Sequence, residues 1–529
     1  MNKMKRAGLA MLVVAAICFA PRASAATCTS RANGNWNLAS TWGTAGLGAC
    51  GRLFGAIPTA ADDVIIAGNT TVTIPANYAA VANSVIVGNA ASSRLASLTF
   101  SAATSSLAVA TNVTIMGPTS NTAGRDRQIL VNAGSLTVNG NVVVNGSTRT
   151  GTYARLTLTT GTAAIAGGLT VNSSVTAGRA VVTVGTGTVN VNGAAGVING
   201  DTITVGAGTF NMSNAAATFS NGSATIAAST SISTGSLNLT GHLTNAATGS
   251  IAVTGAGNIN EAGNWTNDGT FTAGTGTVTF NGTVAQTLNG AAATTFNSFA
   301  INNTGGDVTI NSASVALSPT VNGTLTLTSG HVVATVGTNV LALGAAAVVG
   351  GGSAASHVVG DVQQSIPTGN SSFTFPLGDG TSYQPVTVAL AGVTTAGTLI
   401  SRVVRGDHPD TIANISGIDQ TNSANHYWVL TPATLAGGSY TAVFQFCGTV
   451  ACNVPAERDT LTPSPPDRFI VARRSAGAWI LPPVGARFAN TIGMTGGVTS
   501  AAGFGEFAVG NPLVGVYKGV NQLIDLREL

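Results

Sequence analysis

A five-residue pattern recurs along the middle of the chain: glycine, any residue, apolar, threonine or asparagine, apolar. It occurs at Gly134–Val138, Gly167–Val171, Gly187–Val191, Gly208–Met212, Gly235–Leu239, Gly276–Phe280, Gly306–Ile310 and Gly323–Leu327, with Gly257–Glu261 as a broken copy. Alternation of this kind gives a strand one apolar and one polar face. The preceding glycine is expected to take a positive-φ corner that other residues resist. The copies recur on average about every 24 residues, within the range of solenoid repeats. Strands this short bury too little surface singly, but stacked coils at about 4.8 Å spacing share one continuous core. The pattern therefore predicts an all-β chain. Residues 61–350 are expected to form a right-handed parallel β-helix (a β-solenoid) of about 12 coils and roughly 60 Å, with a β-sandwich after it. Asparagines at the corners are expected to stack into hydrogen-bonded ladders. The competing arrangement is a run of small antiparallel sandwiches, whose turns recur every 8–12 residues or so.

The flanks read differently. Residues 26–60 hold Asn33-Gly34-Asn35-Trp36 and Thr41-Trp42, an aromatic cap for a solenoid end whose strand edges would otherwise be open. Past Gly350-Gly351-Gly352-Ser353, which reads as a hinge, aromatic strands such as Phe373-Thr374-Phe375 and Tyr440–Phe446 alternate with Pro/Gly turns. Residues 361–510 are accordingly expected to be the β-sandwich, and residues 511–529 a charged tail with helical periodicity.

The Trp36-x5-Trp42 spacing, followed by Pro58–Ile66 and the strand Gly68–Ile74, resembles the start of bacterial β-helix surface proteins, including G8-like modules. The run Gly263–Phe271 with Gly276–Thr283 is similar to the repeats of large adhesin-like proteins. The resemblance spans about residues 30–510 and rests on composition. It implies a surface location and a repetitive architecture more than an activity.

Ends and charge set the compartment and the partners. Lys3, Lys5 and Arg6 precede an apolar run over Ala7–Ala20, then Pro21 and Ala23-Ser24-Ala25, the layout of a signal peptide over residues 1–25. The apolar part is too short to span a bilayer as a helix. Four of the 21 basic residues lie in this segment, so a chain cleaved after Ala25 carries 17 against 18 acidic ones. Lys518 is then its single lysine, which argues against a nucleic-acid partner. No later stretch has the length and apolarity of a transmembrane helix. Four cysteines remain in two local pairs, Cys28 with Cys50 and Cys447 with Cys452. Neither pair has zinc-site spacing, and both are expected to be disulfides in an exported protein.

Candidate chemistry is sparse. Between Leu156 and Gly306 the charged side chains are Arg179, Asp201, Glu261 and Asp268, whereas residues 361–529 carry 20. A polysaccharide lyase or hydrolase needs acids gathered on one wall. Glu261 and Asp268, expected in one coil, are the best such pair, with solvated corner positions as the simpler account. Arg405-Gly406-Asp407-His408-Pro409-Asp410 is the densest polar cluster, open to reading as a metal site, an adhesion tripeptide or a polar loop. His242, His331 and His357 are dispersed without an evident partner. Trp265 offers either a sugar platform or core packing. No catalytic, cofactor-binding or metal residue is assigned, and no cofactor is expected. The expected function is non-enzymatic: an exported, adhesin-like scaffold whose partner is a glycan or cell-surface ligand. A carbohydrate-active β-helix enzyme and an accessory component of a pilus or outer surface assembly are the alternatives.

Overall fold

Alternating side chains become strands with one buried face. In the strand Thr70–Ile74, Val72 and Ile74 are fully buried while Thr71 and Thr73 stay partly exposed, and the same alternation marks Thr202–Val205 and Thr277–Phe280. The computed structural model describes residues 25–43, 50, 57–89, 94–119, 122, 124–149, 151–172, 179–193, 197–200, 202–212, 218–221, 229–311, 318–446, 468–487, 491–497 and 503–513.

The described residues are nearly all β, and long parallel sheets dominate. Thr70–Ile74 pairs in parallel with Ala96–Phe100, which pairs with Arg127–Val131, then Ala154–Leu158, then Ala180–Val184. A strand's parallel partner is typically the third strand along the chain, so three series of strands interleave. One series forms a twelve-stranded sheet from Ala79–Ala82 to Val348–Gly351, its strands starting 19 to 29 residues apart. A second gives a ten-stranded sheet, and the third a six-stranded and a nine-stranded sheet. Parallel strands of this kind expose little apolar surface between rungs, because each rung seals the next.

Seven of the nine glycine-led copies lie in the twelve-stranded sheet. The other two do not: Leu169–Asn172 belongs to the six-stranded sheet and Val308–Ile310 to the nine-stranded one that ends at Leu377–Gly378. The pentapeptide marks a strand after a corner, and more than one corner uses it. The glycines also act differently from expectation. Gly187, Gly208 and Gly235 are not among the positive-φ residues. A Cβ on Gly187 would strike the carbonyl oxygen of Gly161, one on Gly208 that of Gly187, and one on Gly235 that of Gly208. Close approach of successive rungs excludes a side chain there.

The parallel pairing extends beyond 61–350 at both ends. Thr27–Thr29 pairs with Asp63–Ile66, and Gly34–Asn35 with Thr70–Ile74, so the cap segment supplies strands to the ladder. At the other end, Val348–Gly351 is itself a strand against Thr324–Ser329, where a hinge was expected. Val362–Ile366 pairs in parallel with Leu341–Leu343 on one side and antiparallel with Gly397–Arg405 on the other. That sheet then continues antiparallel through Ile418–Ala433, Gly505–Pro512, Ile470–Ser475 and Ala478–Ile480. A five-stranded antiparallel sheet containing Gly369–Phe375, Val386–Val393 and Ser439–Gln445 accompanies it. One connected apolar cluster runs from Trp36 and Val64 through Phe299 to Trp428 and Phe507, so both parts share a core. The expected tail, 511–529, lies largely outside the described residues.

Candidate functional site

The outward face of the twelve-stranded sheet is the most regular surface of the molecule. Register places Ser106, Ser135, Thr162, Thr188, Thr209 and Ser236 in one row. Beside it runs a row containing Asn190, Asn211, Asn238 and Asn260. Each amide donates to the carbonyl oxygen of the previous one, at 2.6 Å from Asn211, 2.7 Å from Asn238 and 2.6 Å from Asn260. The ladder therefore lies along a sheet face. A buried link, Asn245 Nδ2 to Asn267 Oδ1 at 2.7 Å, forms on another side of the molecule. None of the outward positions of the twelve-stranded sheet carries a charged side chain.

The acids proposed as a pair do not meet as one. Glu261 occupies an inward position, in register with Leu239 and Phe280, and is fully buried; Asp268 is exposed and accepts from Ala291 N. Glu261 is thus not a solvated corner residue. Its Oε1 accepts from Gly263 N at 2.8 Å, and Oε2 has no hydrogen-bond partner. Burial drives its carboxyl well above the ordinary glutamate range, against the Gly263 bond, which favours the protonated form. Asp201 lies outside the described residues. Trp265 is fully buried, edge-on to Phe271 at 5.1 Å and Phe296 at 5.8 Å, and so packs in the core.

Three of the five histidines gather where the parallel and antiparallel parts join. His331 and His357, without evident partners in the sequence, pack against each other with ring centroids 4.2 Å apart and planes tilted by 53°. His331 Nδ1 faces Asp307 Oδ1 at 2.8 Å, and its Nε2 faces the Ala354 carbonyl at 3.1 Å. His357 Nδ1 faces the Ser353 carbonyl while its Nε2 accepts from Gly380 N, which fixes a neutral tautomer. His426 is sealed between Gln384 and Asp379, 3.0 Å from each. Burial alone would raise the Asp379 carboxyl, but bonds from His426, Ser382 and Thr381 outweigh it and hold the carboxyl far below its usual range. The register of stacked strands, not sequence proximity, brings these residues together, so no local motif announces them.

The polar cluster at 405–410 is tied into the same region. Arg405 approaches Asp379 at 3.8 Å, and Asp407 accepts from Ser423 Oγ at 2.6 Å, so both charged ends of the tripeptide already have partners. His408 caps the short helix Pro409–Ile412 and reaches Glu506 at 3.2 Å. Arg474 bridges Asp410 and Glu506, and Trp479 donates to Asp410. Beside them opens a groove of about 310 Å³ whose lining includes Thr431, Arg474, Phe504 and Glu506. Among the described residues, no group of three or more His, Cys, Asp and Glu side chains is arranged to hold a metal ion.

Cys28 and Cys50 form the expected disulfide. Beside it in the core, Trp36 and Trp42 pack edge-to-face at 5.0 Å, with Trp42 Nε1 donating to the Trp36 carbonyl. Cys447 and Cys452 lie outside the described residues. Among the described residues no helix is long and apolar enough to cross a membrane. Comparison with family models, curated proteins and solved structures gave no match to this chain.

Proposed function

We propose that this chain is an exported, non-enzymatic, adhesin-like scaffold, in which a right-handed parallel β-helix leads into a β-sandwich and offers a flat face for attachment to surfaces, glycans or cells. Right-handedness follows from the strong preference of parallel crossovers for that hand. The observation that carries the reading is the uncharged double row of Ser, Thr and Asn side chains on the twelve-stranded sheet. Rows held at a fixed rung spacing of about 4.8 Å suit many weak, simultaneous polar contacts better than a single catalytic event. Each such contact contributes only about 0.5–1.5 kcal/mol net, so attachment needs a long array. The full burial of Glu261, away from any solvent-facing groove, supports this reading over an acid–base enzyme. Export is supported by the N-terminal charge and apolar pattern and by the Cys28–Cys50 bridge, which suits an oxidising compartment.

The test is fractionation of the native cells, followed by pull-down of the purified chain on insoluble polysaccharides and on intact cells. Truncating Thr188, Thr209 and Ser236 to Ala should weaken attachment by a few-fold, with the fold retained. Glycan cleavage that disappears in Glu261→Gln would replace this proposal with the enzyme.

A further inference from the structure

Between residues 84 and 200 the sequence holds six arginines, no lysine and one acid, Asp126. The arginines at 94, 125, 127, 149, 155 and 179 look scattered along the chain. Pairing brings most of them to one corner. Ala96, Arg127, Ala154 and Ala180 stand in register on four successive rungs. The stacking continues one residue earlier, where Ala96 N donates to Asp126 O, Arg127 N to Tyr153 O and Ala154 N to Arg179 O. Arg94, Arg125, Arg155 and Arg179 therefore lie within two positions of one column, on consecutive rungs about 4.8 Å apart.

The corner is built. Arg127 is fully buried beneath it and donates to the Gly117 and Asn89 carbonyls at 2.9 and 3.0 Å. Asp126 accepts from Tyr153 N at 2.9 Å and from Arg155 Nε at 2.8 Å. The guanidinium groups of Arg155 and Arg179 lie 4.0 and 5.0 Å from the Tyr153 ring centroid. Stacking of this kind holds the planar forks in place, which lowers the cost of ordering them on a ligand. Arg94 and Arg149 are exposed, and Arg125, Arg155 and Arg179 are partly so.

We infer that this arginine row is a binding site for a linear acidic polysaccharide bearing about one carboxylate per sugar. Guanidinium forks match carboxylates bidentately. In an extended glycan with two sugars per turn every second carboxylate faces the same side, a repeat comparable to two rungs of about 4.8 Å each, so the carboxylates of one side meet alternate arginines of the row. Duplex nucleic acid fits poorly, because its phosphates follow a helical path of which a straight, convex corner touches few. The inference rests on the attachment reading but uses a different part of the surface from the neutral rows.

The test uses the purified full-length chain on immobilised polygalacturonate, an insoluble neutral glucan, a short DNA duplex and phosphatidylglycerol vesicles, at low and at physiological salt. Wild type should bind polygalacturonate best, and less tightly as salt rises. Joint replacement Arg94→Gln, Arg125→Gln and Arg179→Gln, which keeps the Asp126–Tyr153–Arg155 group, should weaken that binding about tenfold or more with unchanged circular dichroism. The matching triple change to Lys keeps the charge but not the planar fork, and should bind more weakly than wild type and more tightly than the Gln triple. The inference falls if the Gln triple binds like wild type, if the Lys triple is as weak as the Gln triple, or if duplex or vesicle is preferred. Binding to the glucan without binding to polygalacturonate would overturn it while leaving the attachment proposal standing; binding to neither removes both.

Discussion

Glu261 stands where an apolar side chain belongs. In Gly257–Glu261 the alternation already assigns Glu261 to the inward row, so its burial was legible in the pattern, although the broken motif drew attention to the wrong property. Its folded-state pKa is raised, so the folded chain keeps a proton that the unfolded chain loses above the ordinary glutamate range. Stability is therefore lost as pH rises from about 4.5, by at most about 1.4 kcal/mol per pH unit. Glu261→Gln removes that loss, and its melting temperature should exceed that of wild type at pH 8 and match it at pH 4. Equal melting temperatures at pH 8 would contradict the placement. His357 has the opposite dependence. Burial lowers its pKa to about 4, with the Ser353 bond opposing and the neighbouring His331 adding to the shift. Below about pH 6.5 the unfolded chain takes up a proton that the folded chain refuses until about pH 4, so stability is lost as pH falls through that window. In His357→Gln the denaturation midpoint should fall less between pH 7 and pH 5 than in wild type; parallel declines would rule His357 out as the cause.

At the scale of strands, the sequence was most legible where alternation is strict. The all-β character and the dominance of repeated short strands followed from it, because an inward face must be apolar on every rung. The side of the molecule on which a copy falls was not legible, since Gly167–Val171 and Gly306–Ile310 carry the same local pattern as their neighbours but lie in other sheets. The role of the corner glycines was also hidden: sequence shows that a side chain is absent, not whether torsion or proximity excludes it. Substitution separates these two causes. Gly208→Ala drives a Cβ against the Gly187 carbonyl and should destabilise by about 1–3 kcal/mol, as overpacking does. At Gly477, with φ +82°, an added Cβ would meet nothing within 4 Å, so Gly477→Ala should cost only the conformational term of about 1–2 kcal/mol. Denaturant midpoints for the two variants check the ordering, and a larger loss at Gly477 would contradict it.

For the molecule as a whole, composition was a good guide to what the surface lacks and a poor one to where its few charges meet. The histidine cluster near Asp379 and the arginine corner both depend on which rung lies over which, and that register is set by loop lengths that vary from one rung to the next. Val362–Ile366 belongs to both parts of the molecule, bonded in parallel to Leu341–Leu343 and antiparallel to Gly397–Arg405. A pull applied to the far end of the antiparallel part reaches the ladder through two lines of main-chain bonds across this strand, with no slack tether to extend first. Bonds lying side by side along a strand resist sliding together, whereas bonds opened from one end break in sequence. In the attachment scaffold proposed above, this strand is the mechanical coupling.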